Sequence, residues 1–127
     1  MKRLFLATLI ILCIILLCAV HVFALKQFTQ AQIGQLEAAG AHLNRNEWKK
    51  AQDTVAAVYD TWEQQAFYLH TTLRHTDIDA IRTSLREVNA YLISREDTAE
   101  CQALIAKLIN QLELLLEAEL PTIKNLL

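Results

Sequence analysis

The 127-residue sequence predicts an all-α protein, with a single N-terminal transmembrane helix followed by an antiparallel bundle of three to four helices. Three observations lead there. An unbroken apolar stretch fills the N-terminus, apolar residues recur at three- and four-residue steps through most of the remainder, and only two glycines and one proline are present to make turns. Residues 1–25 form the anchor, and residues 26–127, about 100 residues, are the size of one small domain, with no room for a second module.

The anchor comes first. From Leu4 to Leu25 the chain reads LFLATLIILCIILLCAVHVFAL, about 22 residues, which at about 1.5 Å each cross a hydrocarbon core of about 30 Å. Lys2 and Arg3 precede it, so the positive-inside rule keeps the N-terminus in the cytoplasm and carries the C-terminal domain across; Lys26 on the far side opposes this weakly. The expected location is the cell membrane, as a single-pass signal-anchor protein with an extracytoplasmic domain. A cleaved signal peptide is the competing reading, with Val22, Phe23 and Ala24 near a cleavage point, but the apolar region of such peptides runs only about 7 to 15 residues. Lipoprotein processing is disfavoured because Leu12 and Leu17 stand before Cys13 and Cys18. His21 falls near one end of the span, at the expected interface.

Without Lys2 and Arg3, ten of the twelve basic residues face fourteen acidic ones, a net charge of −4. Mild acidity disfavours nucleic acid or anionic lipid as the main partner. Cys13 and Cys18 lie inside the span, which leaves Cys101 alone in the domain and excludes an intramolecular disulfide there.

Between Leu25 and Leu43 no residue decisively breaks a helix, although Gly34 and Gly40 weaken one. Ile33, Leu36 and Leu43 share a face, so the membrane helix is expected to run on into the first soluble helix. Asn44, Arg45 and Asn46 interrupt the pattern, and Asn46 is the expected N-cap of the second soluble helix. There Trp48, Ala51, Val55, Val58, Trp62, Ala66, Leu69 and Leu73 form an apolar stripe. That helix is expected to end near Arg74 and His75, whose side chains suit the negative end of the helix dipole. Thr76 or Asp77 caps the third helix, which carries an Ile78, Ile81, Leu85, Val88 and Leu92 seam. Ser94 to Asp97 forms the next break, with Asp97 and Glu100 spaced as a capping box. The fourth helix presents a wide apolar face of Cys101, Leu104, Ile105, Leu108, Ile109, Leu112, Leu115 and Leu116. Pro121 is expected to stop it, leaving Ile123, Leu126 and Leu127 to fold back or dock elsewhere. Ala41 to Gln52 is similar to a helical-repeat hairpin, but one unit cannot make a solenoid.

His75, Asp77 and Asp79 are the candidates for a divalent metal, since an imidazole and two carboxylates at a helix start supply suitable donors. A fourth ligand from Glu63 or His70 requires the helices to meet. The structural alternative is favoured: His75 closes one helix while the aspartates cap and complement the next. Cys101, on an apolar helix face, reads as a small core residue. No nucleophile and base stand in a recognisable arrangement, so no catalytic residue and no cofactor are expected. Trp48, Tyr59 and Trp62 follow the core stripe, whereas Phe67 and Tyr68 project from it. Core packing is expected for Phe67 and an exposed or ligand-facing position for Tyr68. Both are candidates for an interaction surface, as are Leu126 and Leu127.

The basic start and apolar anchor, Trp48 and Trp62 about two heptads apart, His75 before the Asp77 to Asp79 turn, the Ile81 and Leu85 seam, and the Pro121 to Leu127 ending together resemble an uncharacterised family. Its members are short membrane-anchored proteins of Gram-positive, often spore-forming, bacteria, known only as a domain of unknown function. Cys13 and Cys18 depart from that pattern. The resemblance implies a cell-envelope setting and brings no activity, catalytic residue or cofactor with it. The expected function is therefore a non-enzymatic envelope protein, an accessory or interaction subunit with a protein partner. The alternative is a small-ligand or metal sensor with a pocket lined by the aromatics and His70 or His75.

Overall fold

The structure, a computed structural model, describes all residues except Arg74, Glu96 and Leu127, and all side chains except those of these residues, Thr72 and residues 119–126. It has five helices, α1 (Lys2–Asn44), α2 (Trp48–Gln64), α3 (Ala66–Thr72), α4 (His75–Ile93) and α5 (Thr98–Leu126), and no strand among the described residues.

The 43 residues of α1 form one uninterrupted helix, about 65 Å long at 1.5 Å per residue. Most of its first half is exposed, with Leu4, Phe5, Leu9, Leu12, Leu16 and Phe23 all open on the surface. From Leu25 onward its surroundings change. Leu25, Thr29, Gln32, Leu36, Ala39, Gly40 and Leu43 are buried, a spacing of three and four residues that keeps one stripe turned inward. The helix thus runs from the apolar stretch into the core without a joint, as its lack of breakers implies.

Around that core α1 packs on α2 and α5, α2 on α4, and α4 on α5, so each long helix has two long neighbours. The chain directions alternate, as the cross-contacts show. Gln52 near the start of α2 donates its amide to the Leu92 carbonyl near the end of α4 (2.7 Å). Arg82 early in α4 meets Glu63 late in α2 (2.6 Å). Gln102 at the start of α5 donates to the Gly40 carbonyl near the end of α1 (2.7 Å) and to Asn44 Oδ1 (3.0 Å). Ala51, Val55, Val58, Trp62, Ile78, Ile81, Leu85, Val88, Leu92, Cys101, Ile105, Leu108, Leu112 and Leu115 fill the interior. These are the stripes the sequence periodicity picks out.

Several boundaries differ from the sequence expectation. The second soluble helix is two helices, because Gln65 adopts φ −94° and ψ 4° and interrupts it between α2 and α3. No glycine or proline marks the break. It redirects the chain so that Gln65, Tyr68 and Leu69 border a small space with Ala24, Leu25 and Phe28 of α1, a tertiary arrangement that local propensity does not encode. His75 opens α4 instead of closing the helix before it, and His70 stands in the last turn of α3.

Asn46 is not the N-cap of α2; Glu47 is, without a side-chain capping bond. Asn46 has φ 58°, a left-handed conformation that asparagine tolerates better than most residues. Its N–H donates to the Leu43 carbonyl (3.0 Å), and the Glu47 N–H donates to the His42 carbonyl (2.9 Å). That pair of bonds is the Schellman termination of α1, which satisfies two carbonyls that the helix end would leave bare. Asp97 does cap α5, accepting from the Ala99 N–H (2.9 Å). Pro121 does not end α5, which continues to Leu126. A proline lacks its own N–H bond and crowds the carbonyl four residues back. One turn is weakened, but the hydrogen bonds of the turns beyond it stay available.

Candidate functional site

At the end of the packed helices from which the exposed part of α1 projects, the chain brings together the C-terminus of α2, all of α3, the start of α4 and residues 21–28 of α1. Most of the candidate residues collect here. Tyr68, 40 % exposed, hydrogen-bonds His21 through its hydroxyl, with ring centroids 5.8 Å apart. Phe28 packs on the buried Trp62 at 5.7 Å. His21, expected only at the edge of the apolar stretch, is thereby tied to α3, a pairing across 47 residues that no local pattern announces.

Phe67 corrects the expectation of core packing. It is 84 % exposed, because α3 is too short to bury more than one face and that face carries Leu69, with Leu73 following it. Thr71 lies on the same outer side and donates its hydroxyl back to the Phe67 and Tyr68 carbonyls. Leu127 lies outside the described residues. Leu126 ends α5, and its side chain is likewise outside them.

The metal candidates spread apart. His75 is exposed at the first position of α4, Asp79 is exposed, and half-buried Asp77 faces a groove between α4 and α5. Among the described residues no three His, Cys, Asp or Glu side chains converge on a point. Of the additional ligands considered, Glu63 is held by Arg82 through both carboxylate oxygens (2.6 and 2.9 Å). His70 does reach His75: the rings stack at 5.0 Å and the two Nδ1 atoms stand 2.8 Å apart. Such a contact requires one ring to donate its Nδ1–H and the other to accept with a bare Nδ1.

Two spaces bear on ligand binding. The groove between α4 and α5, about 300 Å³, is lined by Asp77, Ala80, Ile81, Gln111, Leu114, Leu115 and Ala118. The space between α1 and α3, bordered by Phe28 and Tyr68, is only about 100 Å³, below the range of roughly 300 to 1,000 Å³ that small-molecule sites occupy. Neither histidine of the expected sensor pocket lines it.

At the opposite end, the α1–α2 turn gathers charge on Glu47. Lys50 Nζ lies 2.7 Å away, with Arg45 and His42 each at 3.6 Å. The hydrogen bond from Lys50 acts most strongly on the Glu47 carboxyl; burial opposes it, but the Lys50 charge, the His42 contact and the Arg45 charge add to it, and the carboxyl is held below the ordinary glutamate range. Cys101 is buried on the inner face of α5, as its position in the apolar pattern implies.

A family model described as a domain of unknown function (DUF4363) matches residues 19–126. No curated protein and no solved structure matches the chain.

Proposed function

The chain belongs to the DUF4363 family, a domain of unknown function, and from that premise we propose that it is a non-enzymatic accessory protein of the cell envelope that binds a protein partner. In this reading residues 1–25 span the membrane with the N-terminus in the cytoplasm, and the α1–α5 core stands outside as an antiparallel bundle. One observation carries it. A single helix passes from an exposed apolar stretch of spanning length directly into the core at Leu25, so the domain is held at a set height and angle above whatever surrounds the stretch. A leader destined for removal has no need of that continuity.

The partner surface in this reading is the groove between α4 and α5, where Leu114 is 54 % exposed beside Asp77 and Gln111. An apolar residue flanked by polar groups suits the centre and rim of an interface. The test is affinity purification of the C-terminally tagged full chain from chemically crosslinked native membranes. A specific membrane protein that copurifies with the wild type, and is lost with Leu114→Lys, supports the proposal. Recovery of the intact chain alone argues against it, and recovery of a chain lacking residues 1–25 removes the anchor.

The His70–His75 contact favours one alternative, a metal-responsive domain, because two imidazole nitrogens already lie close together. Titration with zinc or copper decides it. A thermal midpoint raised by metal in the wild type and not in His75→Ala supports this alternative; no shift in either dismisses it.

A further inference from the structure

The exposed face of α3 has no counterpart in the reading above. Phe67 is the most exposed large apolar side chain among the described residues outside α1. From Gln64 to Leu73 the sequence contains no Asp, Glu, Lys or Arg. Thr71, next to Phe67 on the outer side, spends its hydroxyl on the carbonyls of Phe67 and Tyr68, which reduces what this face asks of water. Such a surface is costly in bulk water and comfortable at an apolar boundary.

Its height is set by α1. A hydrocarbon core of about 30 Å takes about 20 helical residues, so a span beginning at Leu4 ends near Phe23. His21, in that last turn, is the residue that Tyr68 grips, and Gln65 and Leu69 border the same small space as Ala24, Leu25 and Phe28. The residues of α1 just above, Gln27 to Leu36, are also free of formal charge. Phe67 therefore projects beside the top of the apolar stretch, at the level where aromatic side chains concentrate in membrane proteins.

We propose that α3 is a membrane-interface element: Phe67 inserts into the outer leaflet of the same bilayer that α1 crosses, while Tyr68 and His21 form a hydrogen-bonded pair at headgroup level. This rests on the anchor reading of α1. It gives the domain a second point of attachment, so that the core is fixed against the lipid surface instead of pivoting on one helix.

The test reads depth directly in the full chain, reconstituted in vesicles of phosphatidylcholine and phosphatidylglycerol. Cys13→Ala and Cys18→Ala remove the other accessible thiols, Cys101 stays buried at 0 % exposure, and a nitroxide is attached in turn to Phe67→Cys, Ile93→Cys and Leu12→Cys. Collision rates with oxygen, enriched in lipid, and with a nickel chelate, confined to water, are compared, and circular dichroism confirms helical content. The proposal expects the Phe67 probe to share the lipid signature of the Leu12 probe and the Ile93 probe, at the far end of α4, to show the water signature. A Leu12 probe in lipid with a Phe67 probe in water overturns the proposal and leaves the anchor intact. A Phe67 probe shielded from both reagents means a protein covers it, which also overturns it. A Leu12 probe in water removes the anchor and the proposal together.

Discussion

Gly34 and Gly40 lie six positions apart on α1 in opposite surroundings. Around Gly34 a Cβ would meet nothing within 4 Å, whereas at Gly40 it would come to 3.0 Å from Gln102 Oε1. Gly34→Ala should raise stability by about 0.5–1 kcal/mol, the difference between the two residues in a helix interior. Gly40→Val should lower it by about 1–3 kcal/mol through overpacking, together with the loss of the Gln102 bonds that join α5 to α1. Urea unfolding of the two variants checks the opposite signs. Glu47 supplies a second case at this scale. Its folded carboxyl is held below the ordinary range, so its contribution is present above the ordinary glutamate pKa and is lost as pH falls through the depressed folded value. Glu47→Gln should therefore melt below the wild type at pH 7, and the two midpoints should converge at strongly acidic pH. A gap that persists unchanged in acid would mean that charge is not what Glu47 contributes.

The helices themselves follow from periodicity, but their ends follow from particular hydrogen bonds. Asn46 completes the Schellman termination of α1 in a left-handed conformation, which costs a residue with an ordinary side chain about 1–2 kcal/mol and a β-branched one at least that. Asn46→Val should destabilise by about that amount, while Asn46→Gly should be neutral or slightly stabilising; thermal melts of the pair separate a backbone effect from loss of the amide. The two roles open to Asn46 look alike in a sequence. An asparagine before a helix is as good an N-cap as it is a left-handed terminator of the helix before, and only the bonds to Leu43 and His42 distinguish the two. The break at Gln65 had no signal of either kind.

For the whole molecule, the division of α1 into a mostly exposed and a packed half makes a sharp prediction. Leu108 is fully buried and Leu12 is 58 % exposed. Leu108→Ala should cost about 2–5 kcal/mol, from lost transfer energy and the cavity left behind, whereas Leu12→Ala should stay within about 0.5 kcal/mol. Unfolding of the detergent-solubilised full chain, followed by near-ultraviolet circular dichroism of the buried Trp62, measures both.

The all-helical class, the spanning length of the N-terminal stretch and the core stripes of α2, α4 and α5 are legible in the sequence alone. These are properties of composition and of 3.6-residue periodicity, each contained within a single segment. Only the tertiary structure decided that Phe67 faces outward, that His21 meets Tyr68, that His70 meets His75 while Asp77 turns to the α4–α5 groove, and that α5 runs past Pro121. The second and third join residues on different helices, and these contacts, like the outward position of Phe67, depend on how far each helix rotates and where the chain bends between them. The last balances one lost hydrogen bond against the turns that follow. Periodicity identifies which face of a helix turns inward, but the neighbours that meet the other faces are set by packing.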